Sequence, residues 1–354
     1  MSWKSTVTDI LKLKYPIIQA PMLGVSTPEM VAAVSNEGGL GSLPVGGLSP
    51  EVIQQLIRQT QTLTNKPFAV NLFAHAVPPY TEEDIEPMRH LLMQLATKRG
   101  YQLDAANLSD FQLYTYHDQI DTLIQEGVSI VSFTFGCLDN TTIQLLKSIG
   151  CTLIGTATCV EEALYLQQHS IDLITVQGVE AGGHRGTFIE SIPLPQVGLF
   201  SLLPQVKSAV QIPCIAAGGI NSAQSIKAAF ELGADAVQIG TAFIGTEESQ
   251  AIASYKDKLT AAKDTDTSLT RAFSGRWARG IRNELMSEIE ESGVPIPPYP
   301  VQNSLIAKLR KLAQQAGDSD YTTLWAGQSA GGTERKSAKE VFLNLVEQYK
   351  VLYS

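Results

Sequence analysis

The segment from Gly178 to Gly186 reads Gly-Val-Glu-Ala-Gly-Gly-His-Arg-Gly and places one imidazole among glycines directly after an apolar run. Backbone of this kind favours close approach to a ligand over packing. His184 is therefore the candidate base, hydrogen-bond donor or counter-ion near neutral pH. Two more glycine turns follow. IPCIAAGGI, from Ile212, ends in Gly218 and Gly219, and GADAVQIGTAF, from Gly233, carries Gln238, Ile239, Gly240 and Thr241. Without Cβ atoms in the way, their N–H groups can approach an anion, and the two turns together read as a phosphate cup.

Asn71 lies near the end of the PFAVNLF strand and Gln177 near the end of DLITVQG. Amides at strand ends either hydrogen-bond a heterocycle such as a flavin ring or satisfy loose backbone groups, and both readings stay open. Glu180, four residues before His184, is either its carboxylate partner or, with Arg185, a solvated loop charge. Of His75, His90, His117 and His169, only His75 lies close enough to Asn71 to approach the same pocket. No H-E-x-x-H, paired C-x-x-C, G-x-S-x-G or P-loop pattern occurs, so zinc hydrolysis, serine hydrolysis and P-loop chemistry have no support and no metal is expected.

These residues need elements to hold them. Short apolar runs bounded by glycine or proline begin at Pro16, Leu40, Pro67, Val128, Cys151, Asp172, Ile212 and Asp235, and helical periodicity fills most gaps between them. Eight buried strands alternating with helices predict a (β/α)₈ TIM barrel, with an open doubly wound sheet second; the first turn, APMLGVST, lacks G-x-G-x-x-G. In a barrel the site lies where strands end, which is where the polar and glycine residues fall. Two stretches break the repeat: an insertion after the third strand and a mostly helical C-terminal segment split by PIPPYP. They predict a barrel from residues 1–75 and 127–246 and a smaller helical lid from 76–126 and 247–354.

The 354 residues carry 26 Lys and Arg against 35 Asp and Glu, a net charge of −9 with no basic block, which argues against nucleic acid. Four cysteines without close pairing suit core thiols in a reducing compartment. The first residues lack an apolar signal region and no run is long enough for a membrane span, so a cytoplasmic protein with no membrane partner is expected. Nothing in the sequence sets the oligomeric state.

Taken as a set, QAPMLGVSTPEMVAAVSNEGGLG, PFAVNLF, GVEAGGHRG, IPCIAAGGI, GADAVQIGTAF and LWAGQSAG resemble the nitronate monooxygenase family, formerly called 2-nitropropane dioxygenases, from about Tyr15 to Gly332. The resemblance implies an FMN-dependent TIM barrel that oxidises alkyl nitronates with O₂ to a carbonyl compound and nitrite. It implies FMN contacts from Met22, Asn71, Gln177, Gly182, Gly219, Gln238, Ile239, Gly240 and Thr241, to which the glycine pattern adds Gly183 and Gly218. His184 corresponds to the family's catalytic histidine. The family's aromatic and lysine contacts from the C-terminal segment point to Tyr299 and Lys308. Competing readings are an NAD(P)H-dependent reductase of quinones or enoyl thioesters on the same scaffold, an FMN-binding protein without catalysis, and a phosphate-binding barrel without flavin.

Overall fold

A computed structural model describes residues 3–105, 107–189 and 193–352, so the outer ends of the expected units, residues 1 and 354, lie outside it. Its strands are β1 (Ile17–Gln19), β2 (Gly41–Pro44), β3 (Phe68–Phe73), β4 (Ile130–Thr134), β5 (Thr152–Ala157), β6 (Leu173–Gln177), β7 (Gly183–His184), β8 (Cys214–Ala217), β9 (Ala236–Ile239), β10 (Thr267–Thr270) and β11 (Ala278–Ile281). Eight of them form one parallel sheet in the order β1-β9-β8-β6-β5-β4-β3-β2. A parallel bridge between Ile18 and Leu40 joins its two edges, with Gln19 N–H donating to the Leu40 carbonyl (2.9 Å) and Leu40 N–H to that of Ile17 (3.0 Å). The ring is the expected (β/α)₈ barrel.

Near-continuous apolar strands bury on both faces. One inner cluster takes Ile18, Leu40, Ala69, Ile130, Ile154, Leu173, Ile215 and Ala236, one residue from each strand or its approach, and adds Val7 and Leu11 from helix Thr6–Leu11. That helix therefore plugs one end of the barrel. The outer layer is helical, and its helices start where caps dictate. Thr27 Oγ1 accepts from Met30 N–H (3.1 Å) ahead of Pro28, and Ser49 precedes Pro50 in the same way.

Apart from the barrel layers stands a second hydrophobic core. Ile85, Met88, Leu92 and Leu95 of helix Glu82–Lys98, in the insertion, pack with Leu305, Ile306 and Leu309 of helix Val301–Gln315 and with Phe273 and Tyr321. Not every helix placed by sequence with this small unit buries there: helix Ala253–Ala261 sends Tyr255 and Leu259 into the barrel layer. Helix Tyr116–Gln125 sends Ile120 and Leu123 into the barrel layer, as helix Ala338–Val351 does with Val341, Phe342 and Leu345. Both supply crossover layers that a closed barrel needs. The hairpin β10-β11 lies within the segment expected to be mostly helical and went unforeseen, because four-residue strands such as TSLT and ARGI leave no periodic apolar signal.

Arg99 fastens the insertion to the C-terminal segment. It donates Nε and Nη2 to the two carboxylate oxygens of Asp318 (2.8 and 2.9 Å) and Nη1 to Glu284 (3.0 Å), and its guanidinium lies 4.9 Å from the Tyr321 ring centroid. Bidentate, partly shielded pairs of this kind outlast ordinary surface ion pairs. Arg99→Met is expected to cost about 1–2 kcal/mol and lower Tm by roughly 2–4 °C. Limited proteolysis of the variant should cut first within the helical unit, and an unchanged melt and digestion pattern would show that the hydrophobic contacts hold the unit alone.

Candidate active site

The C-terminal ends of the barrel strands open into a cavity of about 640 Å³. Its walls include Met22, Asn71, Gln177, Gly182, Gly183, His184, Gly218, Gly219, Gln238, Gly240, Thr241 and Tyr299, so most of the residues singled out by sequence meet in one place. Two do not line it. Ile239 is fully buried in the layer between strands and helices, and Lys308 is exposed on helix Val301–Gln315. A two-residue step turns a helix by about 200°, so Arg310, not Lys308, faces the cavity, with Lys311 at its rim.

Strand β7 exists because a distant segment pairs with it. His184 and Gly183 are antiparallel to Ala278 and Arg279 of β11. The glycine loop also meets the late LWAGQSAG run. A Cβ on Gly182 would stand 2.4 Å from Gly327 N and 2.5 Å from the Ala326 carbonyl carbon, so only glycine lets these backbones touch. Gln177 spends its amide on the same loop: Nε2 donates to the His184 carbonyl (3.0 Å) and Oε1 accepts from Gly186 N–H (2.9 Å).

The charges beside His184 are neither solvated nor its partners. Glu180 accepts from Leu199 N–H with both oxygens (2.8 and 2.9 Å), capping helix Leu199–Ala209 where Gly198 offers no side chain. Arg185 is fully buried, donating Nη1 to the Gly178 carbonyl (2.6 Å) and Nη2 to that of Gln177 (3.1 Å). Both charges fasten the turn from which the imidazole projects.

His184 Nε2 lies 2.8 Å from Ser274 Oγ, and Ser274 O–H donates to the Arg276 carbonyl (3.1 Å). A hydroxyl has one proton, so this network assigns Nε2–H as donor and leaves the lone pair on Nδ1. Rings of Phe135, Trp325 and Tyr299 surround the imidazole at 5.2, 5.4 and 6.1 Å between centroids. Burial, then the guanidinium charges of Arg276 and Arg310, push its pKa down to about 3. It is neutral at physiological pH.

The glycine cup is open. Gly218 and Gly219 have φ of +116° and +70°, and among the described residues the N–H groups of Gly218, Gly219 and Gly240 donate to no backbone carbonyl. The late segment braces the cup from outside its N–H groups: Ser329 Oγ donates to the Gly219 carbonyl (3.0 Å) and Gly327 N–H to Thr241 Oγ1 (3.0 Å). Asn71 Nδ2 donates to Ser132 Oγ (3.0 Å), which leaves its carbonyl oxygen available, and Gln238 lines the cavity. Ser274, Trp325, Ser329 and Arg310 were not singled out by sequence; only LWAGQSAG gave any signal, for Trp325 and Ser329. Among the described residues no group of three His, Cys, Asp or Glu could hold a metal, and no helix is long and apolar enough to cross a membrane.

The nitronate monooxygenase family model matches residues 4–348. The chain belongs to the nitronate monooxygenase family. It is 42% identical to a probable nitronate monooxygenase of Staphylococcus saprophyticus, covering 98% of each chain, and 39% identical to one of Staphylococcus aureus, covering 98% of this chain and 97% of that protein. Among solved structures it resembles a nitroalkane oxidase from Streptomyces ansochromogenes (TM-score 0.86, 36% identity, 99% and 100% of the two chains). It also resembles FabK from Thermotoga maritima (TM-score 0.77, 30% identity, 99% and 97%). Membership makes the chain an oxidoreductase of a flavoprotein family whose named chemistry is the oxidation of nitro compounds.

Two measurements follow from this geometry. Burial also pushes His75 down to about 4, and both histidines are harder to protonate folded than unfolded, where the ordinary value is 6.5. Below that value the unfolded chain binds more protons, so stability should fall as pH drops from 6.5 towards 4. Urea midpoints across this range should show the loss, with His75→Asn reducing it; equal losses in variant and parent would take His75 out of the account. Gly219→Val places a side chain at a position with φ of +70° and should lower flavin affinity by roughly tenfold or more. The flavin-to-protein absorbance ratio checks this, and full occupancy would put the cofactor elsewhere.

Proposed function

We propose that the chain binds FMN in this cavity and oxidises alkyl nitronates with O₂, giving a carbonyl compound and nitrite. The observation that carries the reading is a neutral imidazole of fixed tautomer in the same cavity as an open cup of backbone N–H groups. The cup of Gly218, Gly219, Gly240 and Thr241 fits the FMN phosphate, because N–H groups without Cβ obstruction suit a compact anion. Asn71 and Gln238 fit the polar edge of the isoalloxazine, whereas Gln177 serves mainly to hold the His184 loop. FMN held there would supply the electron acceptor for the nitronate, with O₂ as the terminal oxidant.

The chain's own residues bind, orient and shield. Phe73, Phe135, Tyr299 and Trp325 give apolar walls to the space around His184 and favour a short alkyl chain. The anionic nitronate arrives already deprotonated, so His184 need only orient it. For a neutral nitroalkane the Nδ1 lone pair can take the α-proton, and Ser274 fixes the opposite ring nitrogen as donor. The helical unit covers the strand ends and limits water at the site.

The likeness to FabK supports a second reading, reduction with a nicotinamide donor. An anaerobic absorbance titration separates the two. Propionate 3-nitronate should bleach the bound flavin while NADH leaves it oxidised; the reverse pattern would make the protein a reductase. His184→Ala should keep its flavin and lose about 10²-fold or more in turnover. Unchanged kinetics would remove the imidazole from the chemistry.

A further inference from the structure

Two guanidiniums act on His184, and their surroundings differ. Arg276 donates Nη2 to the carbonyls of Phe135 (3.3 Å) and Thr187, lies 4.4 Å from the Phe135 ring centroid, and does not line the cavity. Its charge is spent on the backbone. Arg310 does line the cavity. Its Nη1 donates to Thr323 Oγ1 (3.2 Å), its Nη2 to Asn303 Oδ1 (2.9 Å) and carbonyl (3.2 Å), and its buried Nε has no partner. Every acceptor is neutral.

A buried guanidinium normally has a carboxylate partner, because removing its charge from water costs several kcal/mol. Here the described residues lining the cavity include Arg310 and Lys311 but neither Asp nor Glu. The titratable groups that feel Arg310 electrostatically are His184, which is neutral, and the Tyr299 phenol, whose proton burial holds in place. The imbalance shares the cavity with the imidazole, and the cup of Gly218, Gly219, Thr241 and Ser329 supplies no charged side chain of its own.

We propose that Arg310 is the counter-ion for the substrate's negative charge and sets the preference of this site for an anionic nitronate over its neutral nitroalkane. The inference rests on the nitronate reading above. A nitronate spreads its charge over two oxygens, an arrangement that a planar guanidinium recognises better than an ammonium point charge. Asn303 and Thr323 fix the fork, so little side-chain freedom is lost when the anion enters.

The test uses the flavin-loaded protein, its Arg310→Met and Arg310→Lys variants, ethyl nitronate as substrate, and nitrite and nitroethane as charged and uncharged probes. Arg310→Met keeps the apolar stem and removes the charge. It should raise KM for the nitronate by about 10- to 100-fold with a smaller change in kcat, and weaken nitrite binding, read from flavin absorbance, by a similar factor. Nitroethane binding should change by less than about threefold, and Arg310→Lys should recover part of the loss. If neither variant folds, nitrite inhibition of the parent protein decides: competition with the nitronate supports the assignment and purely noncompetitive inhibition overturns it.

The two levels of the argument fail separately. A parent protein that ignores nitronates yet binds nitrite through Arg310 would remove the nitronate reading and keep an anion site. Nitronate turnover with unchanged KM and nitrite affinity in Arg310→Met would keep the reading and overturn the role of Arg310.

Discussion

Closure of the parallel sheet is the constraint on which the rest depends. Parallel strands require crossover segments, so in a closed ring every strand ends on the same face. One side of the ring is sealed by the layer from Ile18 to Ala236 with helix Thr6–Leu11 beneath it. At the other, backbone groups beyond the ladder need new partners, and Asn71, Gln177, Gly218 and Gly240 all arrive there. The contact between β1 and Leu40 thus gathers residues that are scattered along the sequence.

Convergence alone leaves a wet, mobile set of loops. Order comes from chain that enters late. Pairing of β11 with β7 fixes the backbone of His184, Ser274 fixes its ring, and the Gly327–Thr241 and Ser329–Gly219 bonds fix the cup. The helical unit has its own core and its own ionic fastening through Arg99, so it can cover the strand ends and bring Arg310 and Lys311 to the cavity wall without a carboxylate beside them. The imidazole then sits where burial and two guanidiniums both disfavour its protonation.

What was legible in the sequence follows from the range of the signal. Eight apolar runs, proline-started helices and paired glycine turns are local patterns, and they located the barrel and most of the cavity wall. The β7–β11 ladder was invisible because two residues have no periodicity and their partner lies more than ninety residues away. Lys308 was chosen for its residue type, but the helix turns it to solvent and brings Arg310 inward. Glu180 and Arg185 looked like loop charges because nothing local says that a helix start and two carbonyls wait for them. Helices Tyr116–Gln125 and Ala338–Val351 joined the barrel because their apolar faces match its outer layer, a fact of packing that a linear division into units does not hold.

The division of labour between the two proposed anion sites has its own logic. A cofactor that stays bound can have its phosphate held by backbone dipoles, whose orientation is fixed by the fold and which add no net charge to the cavity. A substrate that comes and goes needs a full charge to draw it in, and that charge must not be neutralised beforehand. A carboxylate on the cavity wall would pair with Arg310 and raise the pKa of His184 at once, removing the counter-ion and the neutral imidazole together. Under this reading the absence of Asp and Glu from the lining is as functional as the presence of His184, because the two requirements share one electrostatic condition.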